Sequence, residues 1–370
     1  MSAGVLILLL AGGITTRLDN ALYDLHMQHW QYAPSDDVII AAIDERTMDA
    51  LGSWPLPRAV HGRVINKLTA FGVRTIGVNL TMSEGDKSHP ENDRLLAEAM
   101  RRHGSVVMVI YADVSVGGGS LQERLPIPEI ASAAASLGES FVPQEPDGIT
   151  RDVYLWGGVG RPYWPLLSLA VYQLDHPQSH QRPVEKGSLE ETDNGWMAGD
   201  HLLLRFAGPP GTFRHFSYVD ILNGNVDPAL FKGKTVLIGG TVQGLGERIT
   251  TPGMRLRPPM AGVEYMANVL ESLRRGLLIS PLDFSRSFQI GAAALAFPLI
   301  IFGCPGFRRA WVVTLASTAA SLLASALMLR LASLWWPPTS VIVTVVAVSI
   351  GWHLFSRRTR DRGEMSGGAR

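Results

Sequence analysis

The last quarter of the chain constrains everything that precedes it. Three apolar stretches, Ser287–Cys304, Ala310–Met328 and Ser333–Phe355, follow one another with almost no room between them. Each approaches the ~20 apolar residues that a helix needs to cross the hydrocarbon core of a bilayer. Cytoplasmic loops and tails are enriched in Lys and Arg near membrane-spanning ends. Arg308 and Arg309 separate the first two stretches, and Arg357, Arg358, Arg360 and Arg362 follow the third, so both places are expected in the cytoplasm. The remaining turn carries Arg330 together with Trp335, Trp336, Pro337 and Pro338, which read as an aromatic anchor at the opposite interface. A long Arg side chain at a helix end can reach the headgroups from there.

With the first stretch running inwards, the residues before it are exported. Ala3–Thr16 is apolar, but as a helix at ~1.5 Å per residue it reaches only about 21 Å. It lacks the basic start of a secretory signal and reads as a signal anchor, with a cleaved signal as the alternative. Either exports the same segment. The expected division is a membrane anchor over 1–17, an exported domain over 18–283, three membrane helices over 284–356 and a basic cytoplasmic tail over 357–370.

Lys plus Arg (33) equals Asp plus Glu (33), so no charge excess points to nucleic acid. The one cysteine, Cys304, falls at a membrane end, leaving the exported region without an internal disulfide. Its core alone must hold it, and a segment of that length is ample for one.

Within that segment strand-like and helix-like patterns alternate. Val38–Ile43 is an apolar run ending at Asp44; Arg58–Phe71 has helical spacing; Thr75–Leu80 is strand-like; Asn92–His103 and Ser105–Tyr111 repeat the pair. Such alternation predicts an α/β domain with a mainly parallel sheet flanked by helices. Asp113–Ser120 reads as a loop, Pro162–Leu174 as a helix, Leu202–Phe206 as a strand, and Asp175–Asp200 as a long surface loop or hairpin. Tyr218–Leu222 reads as a helical turn, Thr235–Gly240 as a buried strand and Gly262–Leu273 as a helix.

Several clusters admit a chemical reading beside a structural one. Asp44-Glu45-Arg46 follows a strand's C-terminal end, where α/β sheets bind ligands, yet Asp44 could equally cap the next helix. Gly52–Arg58 combines a turn glycine, Trp54 and two prolines before a helix, which suits a structural corner. Gly239–Gly246 follows a strand but matches neither G-x-G-x-x-G nor G-x-x-x-x-G-K-[ST], so a structural loop is expected rather than a phosphate cradle. Asp147–Arg151 reads as a tight turn with Arg151 free to meet a carboxylate. No G-x-S-x-G, no H-E-x-x-H and no paired Cys/His spacing occurs; no catalytic centre, metal or cofactor is expected.

In this order the runs Val38–Glu45, Gly52–Arg58, Ser83-Glu84, Asp147–Arg151, Lys234–Gly239 and Pro259–Glu264 with Ala267-Asn268 resemble the type-2 CHASE family. The resemblance covers residues 20–280 and extends to the three membrane helices that follow. It implies an extracytoplasmic sensory domain of a bacterial receptor in the inner membrane, joined to a cyclase, diguanylate cyclase or histidine kinase output. It also implies a homodimer, an extracytoplasmic small ligand or envelope component as stimulus, and here a separate cytoplasmic signalling partner. A fragment of a longer receptor and a membrane-tethered envelope hydrolase are the alternatives. The chain departs from the family at Asn79, Glu247 and Met266, where Asp, Asp and His are usual. Candidate ligand-binding residues are Asp44, Glu45, Asn79, Glu84, Arg151, Glu247 and Glu264, polar groups near strand ends or glycine-rich turns.

Overall fold

The computed structural model describes residues 4, 6–7, 13–52, 54–114, 121–178, 190–191, 195–252, 258–303 and 310–367. The chain divides into two compact units, Met27–Leu278 and, separately, Met1–His26 with Ile279–Arg370.

In the larger unit, β1 (Val38–Ile43) is six consecutive buried residues, the mark of a strand covered on both faces. Helix α1 (Thr16–Gln28), which belongs to the smaller unit up to His26, precedes it in sequence, and α2 (Glu45–Leu51) and α3 (Arg58–Ala70) follow it, then β2 (Thr75–Asn79), α4 (Pro90–His103), β3 (Val106–Val114) and β4 (Leu121–Arg124). Next come α5 (Pro128–Ala131), β5 (Ser136–Glu139), β6 (Asp152–Val159), β7 (Trp164–Pro165), α6 (Leu167–Asp175), β8 (Glu190–Glu191) and β9 (Trp196–Leu203). The unit closes with β10 (Arg214–Ser217), α7 (Tyr218–Asn223), β11 (Thr235–Gly240), β12 (Arg248–Ile249), β13 (Met260–Ala261) and α8 (Gly262–Arg275).

The main sheet has the order β10-β1-β11-β2-β3, with β5 and β4 both on β3. All its pairings are parallel except β3 with β4. Alternate residues divide between two cores, as the two-residue period of a strand requires. Ile39, Ala41 and Ile43 join Ile76, Val78, Val236 and Ile238 in one, with Val64, Leu68, Leu96 and Ile221 from α3, α4 and α7. Val38, Ile40, Ala42 and Leu237 join the other, with Leu167, Val171, Val263 and Leu270 from α6 and α8.

Two elements differ from the sequence pattern, and pairing partners explain both. Strand β9 ends at Leu203 instead of spanning 202–206, because its register is set against β6 from Asp152↔Leu203 to Val159↔Trp196. Helix α6 starts at Leu167, since Trp164 and Pro165 first pair with Gly157 and Trp156. The expected loops at 113–120 and 175–200 give way to regular structure where they are described: Asp113 and Val114 extend β3, Asp175 ends α6, and 190–191 and 196–200 lie in β8 and β9, held by antiparallel pairing. The remainder lies largely outside the described residues.

At the N-terminal edge of the sheet a polar clasp ties four elements together, α6, β2, β11 and α8. Asp175, the last residue of α6, has a side chain only 1 % exposed and pairs with Arg74 (3.0 Å) and Arg274. The hydroxyls of Thr75 and Thr235, the first residues of β2 and β11, also donate to it. Burial alone would raise this carboxyl, but those hydroxyl and guanidinium donors and the two Arg charges outweigh it and hold it below the usual range.

In the smaller unit, α9 (Phe284–Gly303), α10 (Ala310–Ala332) and α11 (Thr339–Gly367) are the long helices. Among the described residues two are long and apolar enough to cross a membrane, Phe284–Phe302 and Ala310–Ala332; the apolar part described in the third, Thr339–Leu354, is shorter. Most of the apolar stretch at 3–16 lies outside the described residues. Leu331 (81 %), Ile300 (69 %) and Phe297 (60 %) keep their apolar surface open, which suits a lipid-facing exterior. Polar groups turn inwards: Thr15 meets Ser340 at 2.8 Å, Asp19 accepts the Thr339 amide at 3.0 Å, and Ser325 donates to the Trp336 carbonyl at 2.6 Å. A methyl group on Gly291 would stand 3.0 Å from Val341 Cγ2 and 3.2 Å from Leu6 Cδ2, so this glycine sets how closely those segments approach.

Replacing Asp175 by Ala leaves the guanidinium of Arg274, 10 % exposed, without its carboxylate. Breaking a buried pair from one side costs roughly 3 kcal/mol or more. Urea unfolding of Asp175→Ala is expected to show that loss; a change below about 1 kcal/mol would mean that the clasp does not hold the sheet edge.

Candidate functional site

The opposite, C-terminal edge of the parallel strands also leaves polar groups open, Glu139 Oε1, Arg58 Nε and Asp93 Oδ1 among them. Strand β11 enters the sheet between β1 and β2 although it is the last of the main sheet's strands in sequence, so connections diverge there, the arrangement in which open α/β sheets bind ligands. The rim is built from Asp44 after β1, Asn79–Glu84 after β2, Glu139 at the end of β5 and Thr241–Glu247 after β11.

On one flank, between the start of α3 and the segment after β2, lies a cavity of about 250 Å³. Trp54, Arg58, His61, Met82, Ser83 and Glu84 are among its walls. Trp54 follows the turn at Gly52 (φ 93°), forms a cis bond to Pro55 and sets its ring edge-on to His61 at 6.3 Å. His61, 3 % exposed, meets the Tyr218 hydroxyl at 2.7 Å through Nδ1. Burial, with the Arg58 charge added, pushes the imidazole down to about 3, so it is neutral at physiological pH. Arg58 donates to the Glu84 carbonyl at 2.7 Å, and its Nε lies 3.2 Å from Asp93 Oδ1. Neither of those two buried atoms has a well-directed hydrogen-bond partner.

On the other flank are two carboxyl groups. Glu139 is 1 % exposed; its Oε2 accepts the Phe141 amide, while Oε1 has no partner. Burial pushes this group up to about 8, the Phe141 amide opposes that, and the charge of Glu247 adds to it. Glu247 remains exposed on one side but is enclosed enough on the others for desolvation to push it up to about 7. Helix α8 opens at Gly262, whose missing side chain leaves room: a Cβ there would lie 3.5 Å from Glu247 Cβ and 3.8 Å from Asn79 Nδ2. Among the described residues no group of three or more His, Cys, Asp and Glu side chains is placed to hold a metal ion.

The other sequence candidates are engaged elsewhere. Asp44 caps α2: Oδ1 accepts the Thr47 amide (2.9 Å) and hydroxyl (2.7 Å) and the Ser217 hydroxyl (2.8 Å). Glu45 is exposed in that helix's first turn. Arg151, 2 % exposed, is paired with Glu145 and Asp147, each at 2.9 Å. Glu264 accepts the amides of Gly211 (2.8 Å) and Thr212 (3.0 Å) and so pins that turn to α8. Met266 is buried against the Ser168 hydroxyl, 2.8 Å from its carbonyl oxygen. Of the seven candidates, the structure brings Asn79 and Glu247 together and places Glu84 at the cavity. Glu139 was absent from the sequence reading; its only signal is an acidic residue directly after Leu137-Gly138 in a run of small residues. At Gly239, a Cβ would lie 2.6 Å from Val263 Cβ, so the glycine-rich segment begins where α8 crosses the sheet closely.

The larger unit is thus a two-core α/β domain with an open polar rim, on a chain that also carries apolar helices. The CHASE2 domain model matches residues 2–304, and the chain belongs to that family. CHASE2 domains are extracytoplasmic sensory domains of membrane receptors and are not catalytic. No curated protein and no solved structure matches the chain.

Because Glu139 is raised in the folded chain, between about pH 4.5 and 8 the folded state holds a proton that the unfolded state has released. Stability is therefore lost as pH rises through that window. Glu139→Gln keeps the shape and removes the ionisation. At about 1.4 kcal/mol per pKa unit, it is expected to raise unfolding free energy at pH 7.5 by ~2–4 kcal/mol, with the gain shrinking towards pH 5. Comparing variant with parent at each pH cancels the opposite trend from His61. A constant difference across that range would show that Glu139 is ionised in the folded chain.

Proposed function

We propose that the chain is the sensory input part of a bacterial inner-membrane receptor. Its exported domain binds a small ligand in the rim cavity and passes its state to the membrane helices. The cavity carries this reading: it lies at the C-terminal strand edge, it combines an aromatic wall with Arg58, His61 and Ser83, and Arg58 meets Asp93 without a well-directed hydrogen bond. In this reading one anchor near the N-terminus and three helices over 284–356 span the membrane, with residues 18–283 outside and the tail inside. A ligand acts only through different affinity for two arrangements of the receptor. The receptor works as a homodimer, and its output comes from a cytoplasmic signalling domain of the cyclase or kinase type, on a partner chain or in continuation of this one.

Two measurements test these claims. With the chain in lipid nanodiscs, a panel of small metabolites is screened for thermal stabilisation. A ligand at a hundredfold its dissociation constant stabilises by ~2.7 kcal/mol, and Trp54→Ala or Ser83→Trp is expected to abolish the shift. A shift that survives both variants places the site elsewhere. For topology, Cys304→Ser chains carrying Glu129→Cys or Ser366→Cys are treated in intact cells with a membrane-impermeant maleimide. Labelling at position 129 and none at 366 is expected; the reverse pattern overturns the orientation.

A further inference from the structure

We propose that the rim cavity takes a small monocarboxylate, held at the first turn of α3 by the Nε2–H of His61 and the guanidinium of Arg58, with its apolar body against Trp54. The inference rests on the sensory reading above and names the ligand class for that cavity.

His61 supplies the strongest observation. The residue is 3 % exposed and forms part of the cavity wall. Its Nδ1 lies 2.7 Å from the hydroxyl of Tyr218, which is 0 % exposed and is not part of that wall. Among the described residues this nitrogen is the only hydrogen-bond partner of the Tyr218 hydroxyl. A buried hydroxyl proton needs an acceptor, so Tyr218 donates and Nδ1 accepts. The imidazole is neutral, and its one ring proton is therefore on Nε2. Nε2 has no hydrogen bond among the described residues and is the ring's one polar atom left to the cavity.

Arg58 adds a second donor from the same wall. Its Nη2 is spent on the Glu84 carbonyl and its Nε stands beside Asp93, which leaves Nη1 without a hydrogen bond among the described residues. Helix α3 contributes a third term: Pro57 at its N-cap gives no side-chain bond, and no acidic residue occupies the first turn. The partial positive charge of such a helix terminus favours an anion. Asp93 offsets much of the Arg58 charge, so directed donors and the helix terminus, more than net charge, select a carboxylate. Glu84, exposed on the same wall, would repel a second negative charge. The remaining wall includes Trp54, Pro55, Leu80 and Met82, with Trp54 37 % exposed. A cavity of about 250 Å³ is smaller than the ~300–1,000 Å³ of drug-sized pockets, which suits a short acid with an apolar body.

The test uses the full chain in nanodiscs, followed by thermal stabilisation and calorimetry. Butyrate, isovalerate and benzoate at millimolar concentration are compared with the amides, alcohols and amines of the same carbon skeletons, with succinate and with inorganic phosphate. The monocarboxylates are expected to stabilise the chain and to bind at least tenfold more tightly than their amides. His61→Leu is expected to weaken them at least tenfold, whereas His61→Gln, which keeps an N–H near the Nε2 position, holds binding within a few-fold. Tyr218→Phe releases the tautomer and is expected to narrow the preference for acid over amide. The comparison of acid with amide needs no substitution, so it decides even where a variant fails to fold. Stabilisation by amides, alcohols or amines instead, lost in Trp54→Ala and Ser83→Trp, overturns the carboxylate and leaves the cavity as the site. Monocarboxylate binding that survives those two variants overturns the cavity itself. Equal binding of succinate or phosphate, equal binding in His61→Leu, or no response to any monocarboxylate overturns the assignment.

Discussion

Everything in the larger unit depends on the insertion of β11 between β1 and β2. Residues 235–240 pair with 38–43 on one side and 75–79 on the other, so the centre of the sheet cannot close until a strand some two hundred residues distant arrives. Pairings of such sequence separation cost loop-closure entropy before they return any burial. What repays the cost is apolar area: all six residues of β11 are buried, and its alternate side chains enter the two cores. The same insertion makes the connections diverge at one edge, so the rim and the folding problem share one origin.

The two edges of that sheet are treated in opposite ways. At the N-terminal edge, Asp175 collects two guanidinium groups and two hydroxyls. At the C-terminal edge, Glu139 Oε1, Arg58 Nε and Asp93 Oδ1 are buried without a directed partner. Buried polar groups are ordinarily satisfied, and the exceptions call for an explanation. Such exceptions occur at both edges, since Arg274 Nε and Nη1 are likewise without partners beside Asp175; those at the C-terminal edge lie where parallel sheets bind ligands. What differs is charge balance: Asp175 is met by two guanidinium groups, whereas Glu139 has no cationic partner among the described residues.

The pattern explains what could be read from the residues. Continuous apolar strands such as Val38–Ile43 and Thr235–Gly240, and helices with strong spacing such as 58–70 and 262–275, carry their own periodicity, and they appear with nearly the expected bounds. Strands β6 and β9 do not: their antiparallel register depends on each other, and Gly157-Gly158 interrupts the apolar run of β6. Site residues were legible only where they adjoin a recognisable strand end. Asn79 and Glu247 were reachable that way. Glu139 was not, because β5 is four residues long and two of them, Gly138 and Glu139, give no strand signal. Asp44 shows the limit from the other side, since its position matches a binding carboxylate and a helix cap equally well, and only the Thr47 and Ser217 bonds decide for the cap.

Helix α8 is the element through which the rim can be read by the rest of the chain. Its first residue, Gly262, adjoins Asn79 and Glu247, its first turn pins residues 211–212 through Glu264, and its penultimate residue, Arg274, closes the clasp on Asp175. It is therefore tied at both ends to opposite edges of one sheet, and a change at the rim cannot be absorbed by bending a free end. Helices packed this tightly move as rigid bodies between discrete arrangements instead of deforming continuously. Eight residues, 276–283, separate α8 from the first apolar helix, α9. Under the proposed sensory role, a ligand at the rim acts by favouring one of two placements of α8, with a strength set by how differently it binds the two.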